Sequence, residues 1–297
     1  MFGRKKKNAI HLSDELPLTP LGALGLTLSY IILIFWALLI IVPLGLMIIT
    51  AFNGSQGTRL SMNFAGYKLS LDNFTYLFEK TDFLIWTRNT LVIASVTAIL
   101  VVVIVSFTGY AYSRFRFKGR KASLMAIMLI QTIPVFAGIT AYFTMYSIIN
   151  QILPVFSRQA MLILIYAGTG IAGNTFILKG YLDSISTELD DAAKIDGCSN
   201  MQIYRLIIMP IAKPMLALIA LWSFIGPFQD YLLPRVMLTS SRSYTLAAGL
   251  YTLITDMRNL NEPAFAAGGL LTAIPIIILF TALQKQLVSG LASGAVK

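Results

Sequence analysis

The sequence predicts an all-α integral membrane protein with six transmembrane helices and a polar helix-turn-helix loop on one face. Three observations carry this. Of the 297 residues, 57% are hydrophobic and 12% charged, about half the roughly 25% charge of a soluble domain. The charged residues leave long gaps: 43 positions between Glu15 and Arg59, 25 between Arg88 and Arg114, and 36 between Lys121 and Arg158. A further 20 separate Arg158 from Lys179, 16 separate Lys213 from Asp230, and 22 separate Glu262 from Lys285. A spanning helix needs roughly 20 apolar residues, because it rises about 1.5 Å per residue across about 30 Å of hydrocarbon. Finally, Lys and Arg concentrate on alternate polar segments, as membrane topology requires.

The first span is expected within Leu21–Phe52. It is too long, and begins too far along, for a cleavable signal peptide. The second lies within Asn89–Tyr112, the third within Ser123–Ile149 and the fourth within Gln159–Leu178. The fifth covers about Leu206–Gln229, extending its short charge-free gap backward over Leu206–Ala212. The sixth covers about Ala264–Gln284. Residues 1–20 then form an N-terminal tail, 21–287 the membrane domain with a polar loop at 184–210, and 288–297 a C-terminal tail. No repeat or second domain stands out.

Orientation follows from the positive charges. Arg4, Lys5, Lys6 and Lys7, the segment Arg114–Lys121, then Lys179, Lys194, Arg205 and Lys213, and finally Lys285 and Lys297 place fifteen on one side. Arg59, Lys68, Lys80, Arg88, Arg158, Arg235, Arg242 and Arg258 place eight on the other. The richer side is expected to be cytoplasmic, with both termini there. The net charge of +10 is thus a topology signal rather than a sign of nucleic acid. A lipid-headgroup role for the RFRFKGRK loop is the other reading of that segment.

Several chemistries are missing. The first four spans and the sixth carry no charge, so no proton or cation relay is visible. No G-x-x-x-x-G-K-[ST] loop occurs, so the chain is not expected to bind ATP by itself. Gly168-Thr-Gly170-Ile-Ala-Gly173 matches G-x-G-x-x-G, but a dinucleotide site needs a preceding strand. Inside a span, small residues let helices approach. The single Cys198 excludes an internal disulfide, and the single His11 excludes a histidine metal cluster.

One polar stretch is dense. Glu188, Asp190, Asp191 and Asp196 fall within nine residues. Thr187 is expected to cap a short helix whose first turn carries three of these acids, which complement the positive helix end. Gly197 suits the helix C-terminus, where φ > 0 is needed. Ser199-Asn-Met-Gln202 fits the capping box that starts a second helix. Pro210 and Pro214 are expected to interrupt or kink that helix. The result is a helix, a sharp turn and a helix, suited either to an ordinary loop or to docking in a partner's groove.

Spacing favours docking. Asp191-Ala192-Ala193, three residues, Gly197, nine residues, Ile207, one residue and Met209-Pro210 resembles the E-A-A-x3-G-x9-I-x-L-P loop of ATP-binding-cassette importer permeases. Asp191 stands for Glu and Met209 for Leu. GPFQDYLLP, Gly226–Pro234, resembles the W-N-[DE]-[FY]-L-x-P segment of the carbohydrate branch, with Pro227-Phe228-Gln229 in place of the usual aromatic-Asn approach. SYTLAAGL, Ser243–Leu250, and the tail Leu287–Lys297 are similar to the second maltose/maltodextrin-type permease.

The resemblance implies a non-catalytic subunit in a prokaryotic cell membrane. A homologous permease would complete the pathway as a heterodimer. Two copies of a cytoplasmic ATP-binding subunit would use ATP and Mg, and an extracytoplasmic sugar-binding protein would deliver substrate. This chain itself would bind no cofactor. Asp191, Ala192, Ala193, Gly197, Ile207 and Pro210 would couple to the ATPase, and Gly290, Gly294 and Lys297 would reach toward it.

Asn174, Gln229, Asp230 and Tyr231 are the polar candidates for the sugar pathway. For Asn174 the simpler reading is a hydrogen bond joining helices, worth about 0.6–2 kcal/mol. Asp230 faces either an outer cavity or the interface. A self-sufficient secondary carrier is the alternative and would need an ion site that is not visible. An integral-membrane enzyme would need a catalytic cluster, and the dense acids already belong to the docking pattern.

Overall fold

In hydrocarbon every backbone N–H and C=O needs an internal partner, so helices are the expected solution. The computed structural model describes residues 20–54, 67–132, 134–257 and 260–294. Contacts divide the chain into two units, Met1–Ile49 and Thr50–Lys297. Among the described residues, five helices are long and apolar enough to cross a bilayer: Gly22–Ala51, Phe83–Arg114, Arg158–Asp183, Asn200–Gln229 and Glu262–Leu287.

The first unit holds most of helix α1, Pro20–Ala51. Apolar side chains cover its whole circumference, and Leu24, Ile31 and Trp36 are exposed. A helix hydrophobic all round is buried in a large protein core or in a membrane, and the length and composition of α1 suit the second.

The second unit begins where α1 ends, followed by the short helix α2, Asp72–Lys80. Asn73 donates from Nδ2 to the carbonyls of Ala51 (3.0 Å) and Asn53 (3.1 Å) and fixes this turn. Helix α3, Phe83–Arg114, has 32 residues. At about 1.5 Å per residue it is roughly 48 Å long, so its ends pass beyond the hydrocarbon.

The third predicted span, 123–149, is not one helix. It divides into α4, Arg120–Gln131, a 3₁₀ turn at Val135–Gly138, and α5, Ile139–Ile152. Pro134 lies at the break; proline has no N–H to donate and its ring clashes with the preceding turn. At 12 and 14 residues, neither piece alone reaches the roughly 20 that a span needs.

Helix α6, Arg158–Asp183, packs closely along α3. A Cβ at Gly109 would lie 2.8 Å from Leu178 Cδ2, and one at Gly170 would lie 3.1 Å from Val101 Cγ2. The G-x-G-x-x-G pattern therefore serves helix approach at Gly170. Gly173 makes room for the Gln131 side chain, while Gly168 faces open space. Thr108 and Thr175 share a hydroxyl hydrogen bond of 2.9 Å across the same seam.

The next two helices, α7, Glu188–Ile195, and α8, Asn200–Gln202, form the polar hairpin. A π-helical turn, Ile203–Ile208, leads from α8 into α9, Met209–Gln229. Its prolines do not interrupt this helix, and the irregularity falls in the π-helical turn just before Pro210. Met209 N donates to Tyr204 O, five residues back. Pro210 then sits in the first turn of the resumed α-helix, where a missing N–H costs least.

Between α9 and the last helix fold α10, Leu232–Met237, a 3₁₀ turn at Ser241–Ser243, and α11, Leu246–Thr255. They explain why α3 starts six residues before the predicted Asn89. Trp86 Nε1 donates to Ser241 O (2.8 Å), Asn89 Nδ2 to Arg242 O (2.9 Å) and Tyr244 O (3.0 Å), and Leu246 N to Thr90 Oγ1 (2.7 Å). Helix α12, Glu262–Gly294, completes the unit. The core lies where α3, α6 and α9 meet, around Val101, Val105, Leu178, Leu182, Ile208 and Ile219, all with 0% exposure.

A Cβ at Gly249 would stand 2.2 Å from the Trp86 ring, which its hydrogen bond to Ser241 holds in place. Gly249→Ala should therefore lower stability by about 1–3 kcal/mol through overpacking. A thermal-unfolding midpoint equal to wild type in detergent would refute this.

Candidate functional site

The polar hairpin is assembled from local signals that mostly act as predicted. Gly197 has φ +83°, the left-handed conformation that glycine adopts without penalty. Cys198 N donates to Ala193 O (2.9 Å) and Gly197 N to Lys194 O (3.0 Å), the paired bonds of a Schellman ending. Ser199 and Gln202 form the reciprocal capping box at the start of α8.

Thr187 does not cap α7. Its backbone is helical, with φ −70° and ψ −14°, and its side chain makes no capping bond; a capping side chain needs an extended backbone beneath it. Ser186 Oγ accepts from Glu188 N instead, at 3.2 Å.

The two faces of α7 differ sharply. Asp190 and Ala193, three residues apart, are each 5% exposed. On the opposite face Asp191, Ala192 and Ile195 are exposed. Asp191 Oδ1 meets Lys194 Nζ at 3.2 Å; such a solvated pair is worth about 0–1 kcal/mol and exchanges readily for a better partner. Ile207 is partly buried against the core, and Pro210 is exposed. Of the predicted docking set, Asp191, Ala192 and Ala193 lie on α7 with Ala193 facing inward, Gly197 is at the turn, and Ile207 and Pro210 lie beyond the hairpin in the π-helical turn and α9.

Sequence reading missed what holds the hairpin. Arg114, the last residue of α3, lies with Nε 3.0 Å from Asp190 Oδ2, and both side chains are 7% exposed. These two atoms lack hydrogen-bond alignment, so the contact is coulombic. The guanidinium's aligned bonds go elsewhere: Nη1 donates to Leu182 O and Nη2 to Ile185 O, both at 3.1 Å. Removing one member of a buried ion pair costs about 3–5 kcal/mol. The available signal was an acid at the same helical register as Ala193, in a chain with few acids.

The second arm is held by aromatics. Tyr204, inside the π-helical turn, stacks on Phe107 at 4.9 Å, and its hydroxyl hydrogen-bonds Ser106 Oγ at 2.8 Å. Tyr110 Oη donates to Asn200 O at 3.4 Å.

The four pathway candidates are not gathered into one site. Asn174 Nδ2 donates to Gly170 O within its own helix, at 2.8 Å, rather than across to another helix. Asp230 Oδ1 accepts from the backbone N–H groups of Leu232 (2.9 Å) and Leu233 (3.2 Å), and so caps α10. Its Oδ2 accepts from Tyr166 Oη at 2.9 Å. Tyr166 is eight positions before Asn174 on α6, a rise of about 12 Å. Gln229 is exposed. Tyr231 stacks on Tyr251 at 4.3 Å, and its phenol pKa is raised, chiefly by a side-chain hydrogen bond to Tyr251.

Gly290 and Gly294 lie in the last turns of α12. Lys297 lies outside the described residues. Among the described residues no group of three or more His, Cys, Asp or Glu could hold a metal ion.

This fold and site define a polytopic helical membrane protein with a polar helix-turn-helix between two of its long apolar helices. The chain belongs to the family of binding-protein-dependent transport system inner membrane components, matched over residues 106–293. It is 41% identical over 269 residues to the maltodextrin transport system permease protein MdxG of Bacillus subtilis, covering 91% of this chain and 95% of that protein. It is 39% identical to the galactooligosaccharides transport system permease protein GanQ of the same organism, covering 92% and 95%. Among solved structures, a bacterial transporter that imports the acidic polysaccharide alginate superposes with a TM-score of 0.76 at 21% identity, covering 91% of this chain and 99% of that one. The inward-facing MetNI methionine transporter superposes with a TM-score of 0.54 at 17% identity, covering 73% and 97%; these two likenesses concern the fold. The protein is therefore a permease subunit of an ATP-binding-cassette importer and is not itself an enzyme.

Gly197→Val would force a β-branched residue into φ > 0 and should cost about 1–2 kcal/mol. The turn should then become a preferred cleavage site in limited proteolysis. Unchanged protection at residues 196–199 would count against this reading of the turn.

Proposed function

We propose that this chain forms half of the translocation pathway of an ATP-driven importer for maltodextrin-type oligosaccharides. A homologous permease supplies the other half. Two cytoplasmic ATPase subunits use ATP and Mg, and an extracytoplasmic binding protein delivers the sugar. Both termini and the hairpin lie on the cytoplasmic side, in line with the fifteen-to-eight excess of positive charge.

The observation that carries the coupling role is the preformed outer face of α7. Asp191, Ala192 and Ile195 stand exposed together, on a helix whose opposite face is anchored by Asp190. A small, partly apolar, rigid helix face fits a groove on another protein. Gly290, Gly294 and Lys297 are the proposed C-terminal contacts with the same ATPase pair.

The substrate class rests on the relatives, whose lengths are matched almost completely. MdxG supports a maltodextrin and GanQ a galactooligosaccharide; the two classes differ in their constituent sugar. Asn174, Gln229, Asp230 and Tyr231 supply polar groups along the route, with Asn174 deeper and the other three near the outer end of α9.

Two measurements test this. Deleting the gene should abolish uptake of labelled maltotriose, and unlabelled maltodextrin should compete in the parent strain; competition by galactooligosaccharide alone would reassign the substrate. Ala192→Trp should weaken capture of the ATPase subunit by about 1–3 kcal/mol, the overpacking range. Unaltered capture would remove α7 from the docking interface.

A further inference from the structure

The helix α3 grips both arms of the hairpin within its last three turns. Ser106, Phe107 and Tyr110 hold Tyr204 and Asn200 on the second arm. Arg114 holds Asp190 on the first arm and the Leu182 and Ile185 carbonyls at the end of α6. One guanidinium therefore joins three elements: α3, α6 and α7. Its planar fork with five donors suits this, whereas a lysine ammonium is a single point charge on a flexible stem.

The location of this pair is informative. Both side chains are 7% exposed, whereas most acids among the described residues are exposed. Asp190 is adjacent to Asp191, yet the two point to opposite sides of α7. Asp191 is exposed toward solvent, and Asp190 is directed into the membrane domain. A load applied to the outer face of α7 has a short, buried, charged route into α3 and α6. The exposed Asp191–Lys194 pair offers no such route.

We propose that Arg114 and Asp190 are positioning residues for transport: they lock the hairpin to α3 and α6, so that a displacement of α7 moves those helices with it. This rests on the coupling role proposed above for the outer face of α7. Loss of the link should leave the hairpin able to meet its partner but unable to move the membrane helices in step. Hydrolysis would then run with less sugar carried per ATP.

The test uses the assembled complex with Cys198→Ser as background. Spin labels at Val103→Cys on α3 and Leu189→Cys on α7, both at exposed positions, report the separation of the two helices. In the otherwise wild-type complex that separation should be the same in nucleotide-free and ATP-bound states, within the spread of the labels. In Asp190→Asn it should broaden, and sugar carried per ATP should fall by about tenfold, within the usual range of coupling between sites. Asp190→Glu, which keeps the charge, should recover most of the ratio. A wild-type separation that changes on ATP binding overturns the proposal, and so does an Asp190→Asn complex with the wild-type ratio. If Asp190→Asn fails to assemble, the wild-type separation still decides. Ala192→Trp keeps the two readings apart: unaltered ATPase capture in that variant sinks the docking face alone and leaves the α3–α7 separation as an independent measurement.

Discussion

The constraint on which the rest of this structure depends is the close approach of α3 to α6. Gly109 and Gly170 remove side chains where Leu178 and Val101 need the space. In lipid there is no water to expel between helices, so van der Waals contact at short range is a main source of association. The Thr108–Thr175 bond adds a polar contact on the same seam. With α3 and α6 fixed side by side, their ends at Arg114 and Asp183 come together, and the segment after α6 must fold beneath them. The hairpin's position follows from that packing.

The hairpin is built from inexpensive local devices and one costly distant one. The Schellman ending at Gly197 and the capping box at Ser199 satisfy helix-end backbone groups within a dozen residues. They fix the hairpin's shape but not its attachment. Attachment includes a buried charge pair, which carries a desolvation cost. The π-helical turn at Ile203–Ile208 shares in this. It brings Tyr204 against α3 and delivers Pro210 to a position where its missing N–H is tolerated.

Local order at the other end of the unit has a similar logic. α10 and α11 are too short to cross a membrane, and the 3₁₀ turn at Ser241–Ser243 and the start of α11 close over the start of α3 through Trp86, Asn89 and Thr90. Asp230 serves as the N-terminal cap of α10 while accepting from Tyr166. A carboxylate committed to three donors is a joint between α6 and the segment after α9. It sets the geometry of that region whatever solute passes nearby.

The amino-acid sequence by itself determined the membrane class, the placement of most spans and the shape of the hairpin. Each depends on neighbours along the chain: apolar runs long enough for hydrocarbon, a glycine where φ must be positive, a serine three residues before a glutamine. It also carried the family signature, because the Asp191–Pro210 spacing is local. Tertiary structure decided the rest. The third apolar run divides at Pro134, and the helix through Pro210 does not, because a π-helical turn packed on α3 absorbs that proline. Thr187 lost its capping role to Ser186 once its own backbone became helical. The pairing of Arg114 with Asp190 joins residues 76 apart in sequence, and no periodicity or motif encodes which acid among four turns inward. That choice follows from the rotation of α7 against α3, and only the packed helices fix it.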